Sequence, residues 1–236
     1  MKKMKENDTY YYKVIDIRKE SDDVSTIFLD CSDFDILDYK SGQYITVYFP
    51  ESGTKEGKAY SISSAPSERI FTITVRAVGE FSNKITSLKK GDLLLASKPY
   101  GYFYTETEDT PIILIAGGIG ITPLRSIVFD NFKKNREIVL LYSAKNFNDI
   151  VFKNQFDELA NKNQNFKVKY FLTSEKSDLS CIVNARIQSK DIFDCLKNST
   201  ESEFFVCGSI SFTRDIWKVI KDLGISDNNI YTEAFF

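Results

Sequence analysis

The sequence predicts a two-domain protein, an antiparallel β-barrel followed by an α/β doubly wound parallel sheet. Three observations carry this expectation. The chain has 236 residues, more than one hydrophobic core comfortably fills. From Tyr10 to about Tyr104 it reads as short strands separated by turn-rich pieces, the rhythm of a barrel or sandwich. From Thr110 it changes to apolar strand followed by amphipathic helix, which indicates a parallel sheet covered on both faces. The break falls at Glu106 to Thr110, where acidic and Thr residues interrupt the apolar pattern, so the domains are set at 8–107 and 108–236.

In the first domain the expected strands are YYYKVIDI, VSTIFLD, GQYITVYF, KAYSISS, IFTITVRA and LLLAS, with turns such as PESGTKEG and APSE between them. One short helix, Ser82 to Leu88, interrupts the series. The second domain opens with IILIA, then a helix carrying Leu124, Ile127 and Val128, then IVLLY and a helix with Phe152, Phe156 and Leu159. VKYFL, a helix near Ile187 to Leu196, FFVCG, a helix with Ile216, Val219, Ile220 and Leu223, and a last strand at IYT complete it. Residues 1–8 read as a charged tail.

Composition removes several function classes. Hydrophobic residues make up 42% and charged residues 27%, which excludes collagen-like, disordered and membrane-spanning chains. Lys+Arg 31 against Asp+Glu 33 leaves a net charge of -2, so no basic field exists to attract a nucleic acid. The absence of histidine excludes His-based triads, His zinc sites and imidazole proton shuttles. Cys31, Cys181, Cys195 and Cys207 stand far apart with no C-x-x-C pair, so neither an iron–sulfur cluster nor another metal site is expected. No apolar stretch follows the basic tip MKKMK, and the longest nearly apolar run, Pro111 to Leu124, is shorter than the ~18 residues of a membrane span. A cytoplasmic protein is the expectation.

Two places have the residue types that chemistry needs. IILIAGGIGITPLRS runs from a strand through Gly117, Gly118 and Gly120 into a helix, with Thr122 placed to cap it and Pro123 suited to its first position. Glycines let a backbone approach phosphate closely, and the helix N-terminus then faces an anion. A tight strand-to-helix turn that binds nothing would look the same at this point. Dinucleotide turns usually carry an acid ~20 residues on, whereas here the next strand ends in Tyr142-Ser143-Ala144-Lys145. The second place combines Lys58, Ala59, Tyr60 and Ser61 on a strand with Gly79, Phe81, Ser82 and Asn83 at a helix start. A cation, a ring and hydroxyls suit a phosphorylated planar ligand, although each residue alone is equally a packing or surface residue.

K-A-Y-S and G-x-F-S on a barrel, followed by A-G-G-I-G-I-T-P, V-C-G-S and a terminal T-E-A-F-F, resemble the ferredoxin-NADP reductase superfamily over about Tyr10 to Phe236. Gly42-Gln43-Tyr44 and Pro99-Tyr100-Gly101-Tyr102-Phe103 match barrel features of that family that serve packing and turns. The resemblance implies FAD on the barrel, with Tyr60 against the flavin ring, Ser61 near its reactive edge and Lys58 on its phosphate. Lys58 stands where the family usually has Arg, a point charge in place of a planar fork. Val75 and Arg76 match a segment beside the flavin, and Gly79, Phe81, Ser82 and Asn83 match the pyrophosphate turn. The resemblance further implies NADH or NADPH on the second domain, with Gly117, Gly118, Gly120, Thr122 and Pro123 at its phosphates and Cys207 and Gly208 at the nicotinamide. Ser209 departs from the Pro or Leu usual after that glycine. Glu233 would relay a proton and Phe235 would cover the flavin, with Phe236 a rival for that role. Ser61, Cys207 and Glu233 are thus the implied catalytic residues.

The function so implied is hydride transfer from NAD(P)H to bound FAD, then single electrons to a separate protein such as ferredoxin, a flavodoxin or an oxygenase component. A reductase of free flavin, and a flavin-binding sensing or interaction module without turnover, are the alternatives. Ser143, Lys145, Ser174 and Lys176 are candidates for a 2′-phosphate, but the sequence leaves NADH against NADPH open. It also leaves the oligomeric state open, with a monomer the working expectation.

Overall fold

Alternating apolar positions in the first hundred residues become the inner face of a six-stranded antiparallel sheet. The computed structural model describes residues 9–30, 38–50, 56–196 and 201–235. The strands are β1 (Thr9–Lys19), β2 (Val24–Leu29), β3 (Tyr44–Tyr48), β4 (Lys58–Ser61), β5 (Phe71–Arg76) and β6 (Leu93–Ser97), in the order β4-β3-β6-β1-β2-β5. A bridge between Ile62 and Ile73 joins the chain just after β4 to β5, so the sheet closes on itself as a barrel. Its core holds Tyr12, Val14, Ile27, Ile45, Val47, Phe71, Ile73 and Leu94, with the rings of Tyr12 and Phe71 stacked 5.6 Å apart. Gly42 has φ +100, and a side chain there would run into the Phe103 carbonyl. Gln43 donates to the Gly101 carbonyl at 3.1 Å, and Tyr44 packs on Tyr100 at 4.4 Å. The glycine turn at 42 and the turn at 99–103 therefore fix each other.

The only α-helix among the described residues before Thr105 is α1 (Glu80–Thr86), two residues upstream of the expected Ser82 to Leu88. Ser82 is the cause. Its Oγ accepts from the backbone nitrogens of Val78 and Gly79 at 2.9 and 3.0 Å, so the chain is already turned before Ser82 is reached.

The second sheet contains β7 (Ile112–Gly117), β8 (Ile138–Ala144), β9 (Phe166–Leu172), β10 (Ile182–Val183), β11 (Glu203–Ser209) and β12 (Ile230–Phe235). All pair in parallel, in the order β10-β9-β8-β7-β11-β12. Helices α2 (Ile121–Asn131), α3 (Lys153–Lys162), α4 (Ser189–Phe193) and α5 (Ile210–Asp222) connect them. Ile113, Ile115, Leu141, Phe171, Phe204 and Val206 form one core face, against Ile216 and Ile220 of α5. The central strands β7, β8 and β11 are nearly continuous apolar runs because both of their faces are covered. Two details differ from expectation. The helix near 187–196 is confined to α4, and β10 is an additional strand whose two residues carry no periodicity to announce it.

Backbone proximity divides the molecule into two units. One gathers the described residues up to Tyr104 together with Arg125–Asp130, and the other holds Thr105–Leu124 and the described residues from Asn131 onward. In the first, Arg125 forms a two-pronged ion pair with Glu68 at 2.9 Å and donates to the Ser63 carbonyl at 2.8 Å. In the second, the Arg136 guanidinium is buried against Glu203 at 3.1 Å, and Thr105 and Thr107 donate to the same carboxylate oxygen. The expected tail at 1–8, Cys31 and Phe236 lie outside the described residues.

Candidate functional site

In the barrel unit, alternation along β4 puts Lys58 and Tyr60 on one face and Ala59 and Ser61 on the other. Lys58 and Ala59 are exposed, Tyr60 is half-buried and Ser61 is buried. Phe81, from the first turn of α1, meets the Lys58 and Tyr60 face. Its ring lies 6.3 Å from that of Tyr60 and nearly parallel to it, and Lys58 Nζ stands 5.5 Å from its centre. Phe49 contacts Phe81 edge-on at 4.9 Å. Burial pushes the Tyr60 hydroxyl up to about 12.

The remaining barrel candidates are arranged less openly. Val75 turns its side chain into the core, and Arg76 pairs with Asp23 at 3.2 Å. Gly79 is exposed and has nothing within 4 Å of where a side chain would begin. Ser82 is buried and its hydroxyl is taken by the Val78 and Gly79 nitrogens, while Asn83 Nδ2 donates to the Gly79 carbonyl at 2.9 Å. The groups expected to face a pyrophosphate thus largely satisfy the helix start itself. What stays presented is an exposed ammonium beside two stacked rings, with open space at Gly79. That surface fits a planar ligand bearing phosphate.

In the second unit, strand order decides where a ligand can sit. Chain order runs outward from β7 through β8 and β9 on one side, and then reverses to β11 and β12 on the other. Open parallel sheets bind ligands outside the C-terminal ends of strands at such a reversal. The ends meeting there carry the candidates Gly117, Gly118, Gly120, Cys207 and Gly208, with Ala116 opposite Cys207. Gly118 adopts φ +55, a region that favours glycine. Gly120 is needed for a different reason. A Cβ there would run into the Cys207 carbonyl and sit 2.6 Å from the Gly208 nitrogen, so the turn packs directly on the end of β11.

Thr122 is not the helix cap. A 3₁₀ turn at Gly118–Gly120 continues into α2 at Ile121, and the buried Thr122 hydroxyl donates to the Ile119 carbonyl at 3.1 Å. Pro123 is correspondingly buried within the first turn of α2 and not at its first position. The glycines start the helix one turn earlier than side-chain capping would.

Cys207 is fully buried, and burial, with Glu233 adding to it, holds its thiol well above the ordinary value. It is therefore no exposed nucleophile. Across β12 the register places Glu233 opposite Cys207, Ala234 opposite Gly208 and Phe235 opposite Ser209. Glu233 and Phe235 are half-buried. Two further residues shape this end. Ser209 caps α5, accepting from Phe212 N at 3.3 Å, which explains a hydroxyl at that position. The Phe212 ring lies across both Gly117 and Gly208, where side chains would come within 2.8 and 2.6 Å of it. No motif marks Phe212. Only the pairing of β7 with β11 lets two glycines so distant along the chain share one ring.

Comparison with known proteins finds two families along the chain. Residues 11–104 match the oxidoreductase FAD-binding domain family, and residues 114–218 match the oxidoreductase NAD-binding domain family. Among curated relatives, a component of the Na(+)-translocating NADH-quinone reductase of Yersinia enterocolitica is 30% identical over 86% of this chain and 56% of its own length. A Bacillus anthracis flavohemoprotein is 28% identical over 92% of this chain and 58% of its own. The chain spans about half the length of the curated relatives it matches. Among solved structures, the flavohem-like FAD/NAD-binding domain of nitric oxide dioxygenase from Vibrio cholerae has a TM-score of 0.82 at 25% identity, covering 95% of this chain and 98% of that one. A ferredoxin-NADP+ reductase from Neisseria gonorrhoeae shares the fold, with a TM-score of 0.83 at 19% identity, 98% of this chain and 100% of that one. A barrel with an exposed cation beside stacked rings, a parallel sheet with a glycine turn at its strand-order reversal, and both domain matches make this chain a member of the oxidoreductases built from an FAD-binding and an NAD-binding domain, with the fold of a ferredoxin-NADP+ reductase.

Proposed function

We propose that the chain passes hydride from NADH or NADPH to bound FAD and then delivers electrons singly to a separate acceptor protein, such as ferredoxin, a flavodoxin or an oxygenase component. The observation that carries this reading is the reversal of strand order between β7 and β11, with the glycine turn and Cys207-Gly208 at the same edge. FAD, when bound, supplies the conversion of a two-electron donor into one-electron steps. The chain's own residues supply binding and orientation. Lys58 offers charge to phosphate, and Tyr60 and Phe81 an aromatic wall. Ser61 offers a hydroxyl, while Val75 and Arg76 line the same ligand through their backbone. Gly79, Ser82 and Asn83 shape the phosphate turn.

Gly117, Gly118 and Gly120 give phosphate close access to backbone, with Thr122 and Pro123 stiffening the helix behind them. Cys207 and Gly208 form an apolar floor for the nicotinamide, and Glu233 holds a proton near it. Phe235 is the ring the nicotinamide must displace. The relatives' names differ in what they describe, from flavohemoprotein to NADH-quinone reductase and an Amycolatopsis cytochrome P450 reductase, so the acceptor is assigned here by class alone.

Anaerobic titration of the flavin-loaded protein with each nucleotide tests the reading. Flavin absorbance should bleach with at least one and return on adding a one-electron acceptor. No bleaching with either would defeat it. The internal use of Ser82 favours one second reading, reduction of free flavin, because it weakens the expected grip on phosphate. A sample that stays yellow after desalting decides against that.

A further inference from the structure

The second strand of the parallel sheet ends in Ser143-Ala144-Lys145, without the carboxylate that dinucleotide sites carry about 20 residues after the glycine turn to hold the adenosine ribose. In three dimensions a carboxylate reaches that place from the neighbouring strand. β9 pairs with β8 up to Leu172 opposite Ala144, and the pairing continues past the strand ends. Thr173 N donates to the Ala144 carbonyl at 3.1 Å, and Ser174 N and Glu175 N both donate to the Lys145 carbonyl, at 3.0 and 3.2 Å. Residues 173–175 thereby fold over the end of β8. Glu175 Oε2 then accepts from Phe147 N at 2.6 Å, a charge-assisted bond that fixes the side chain. Its other oxygen has no hydrogen bond among the described residues. The strand so covered is the direct neighbour of β7, with Ser143 opposite Gly117 of the glycine turn.

We infer that Glu175 is the residue that selects NADH over NADPH, its carboxylate accepting from the 2′-hydroxyl of the adenosine ribose and repelling a 2′-phosphate. This rests on the reading above that the second unit binds a nicotinamide nucleotide. A ribose hydroxyl has a proton to donate to a carboxylate, whereas a phosphate monoester brings about −1.5 to −2 charges toward it. Other charges near this end are Lys145 and Lys176, both exposed, Lys153, which is paired with Asp157, the exposed Asp178, and Asp149, whose Oδ2 accepts from Asn146 N and Nδ2 at 3.2 and 3.1 Å. Lys145 and Lys176 are the rival, since an ammonium would attract the 2′-phosphate. Neither ammonium is held by an ion pair among the described residues, and ordering a lysine on a ligand costs rotamer entropy. The Glu175 and Asp149 carboxylates are already tied to backbone nitrogens and act without that cost. The fixed negative charges therefore decide the choice.

The test uses the full chain loaded with FAD and has two readouts. One is the ratio of kcat/KM for NADH to that for NADPH. The other is calorimetric binding of 5′-AMP against adenosine 2′,5′-bisphosphate, which differ only in the 2′-phosphate and require no hydride transfer. The unaltered protein should prefer NADH by about 100-fold, or ~2.7 kcal/mol, and bind 5′-AMP more tightly than the bisphosphate. Glu175→Gln keeps an acceptor for Phe147 N and removes the charge, so the ratio should fall about tenfold, or ~1.4 kcal/mol, and the bisphosphate should bind more tightly. Replacing Lys145 and Lys176 with Ala should move the ratio less than Glu175→Gln does. The inference is overturned by a native preference for NADPH, by an unchanged ratio in Glu175→Gln, by a larger shift in the lysine variant, or by failure of both adenosine ligands to bind. If neither dinucleotide bleaches the flavin while 5′-AMP still binds in the expected order, the proposed hydride transfer fails and the assignment of Glu175 stands.

Discussion

Cys207 lies where the proposed function puts the nucleotide, yet it shares its chemical state with a core residue. Its thiol is fully buried and held protonated, Cys195 is pushed up to about 11 by burial and donates to the Asp191 carbonyl, and Cys181 is exposed. Because the thiolate is the reactive form, a thiol reagent at pH 8 should modify Cys181 quickly and leave Cys195 and Cys207 until the chain unfolds. Counting fast thiols in Cys181→Ser checks this, and loss of a fast thiol in Cys207→Ser would show the burial to be wrong. Tyr60 makes a second prediction at this scale. Burial raises its hydroxyl from 10.0 to about 12, so between those values the unfolded chain ionises while the folded one does not. The folded state then binds more protons, and stability falls as pH rises through this window. Tyr60→Phe should flatten that part of the stability profile, measured by denaturant midpoints at a series of pH values.

At the scale of elements, the glycine turn separates two roles that look identical in sequence. Gly118 is required by its left-handed φ, and Gly118→Ala should cost about 1 kcal/mol of stability. Gly120 is required by contact with backbone, which cannot swing aside as a side chain can. Gly120→Ala should therefore cost more, about 3 kcal/mol, as overpacking. Urea midpoints compare the two, and equal costs would remove the distinction. The comparison matters for function, because loss of nucleotide binding in a Gly120 variant reports on folding as much as on the ligand. What is legible in the sequence follows from range. The strand runs and the amphipathic face of α5 are local periodicities, and the structure reproduces both sheets with shifts of a few residues at element ends. Ser82 and Ser209 act on backbone within four residues of themselves, whereas the parts played by Phe212 and Glu175 are not legible, because each depends on a partner distant in the chain. Thr122 misleads because a hydroxyl before a helix has two outlets, forward to the helix nitrogens or back to a carbonyl, and the 3₁₀ turn at Gly118–Gly120 supplies the second.

At the scale of the whole molecule, stability draws on charges placed out of water and on ligand binding. Arg136 and Glu203 are buried together with Thr105, Thr107 and Thr110 around them. Removing one partner strands the other, so Arg136→Met or Glu203→Leu alone should cost about 3–5 kcal/mol, and the double replacement much less than the sum. A double-mutant cycle on denaturant stability reads the difference. FAD should raise the melting temperature, with ~2.7 kcal/mol gained at a hundredfold excess over its Kd, and riboflavin, lacking phosphate, should do less. Differential scanning calorimetry with each ligand distinguishes them. The contact of Gly120 with the end of β11 has a bearing on descent as well as on stability. A lineage that changed its nucleotide preference could rewrite Ser143, Lys145 or Glu175 freely, since these stand at a strand end whose loss leaves the core intact. Gly120 has no such freedom whatever the ligand, because its replacement is judged by folding before any ligand arrives. Selection for a new cosubstrate should therefore leave the glycine turn as it is and accumulate its changes at the neighbouring strand ends.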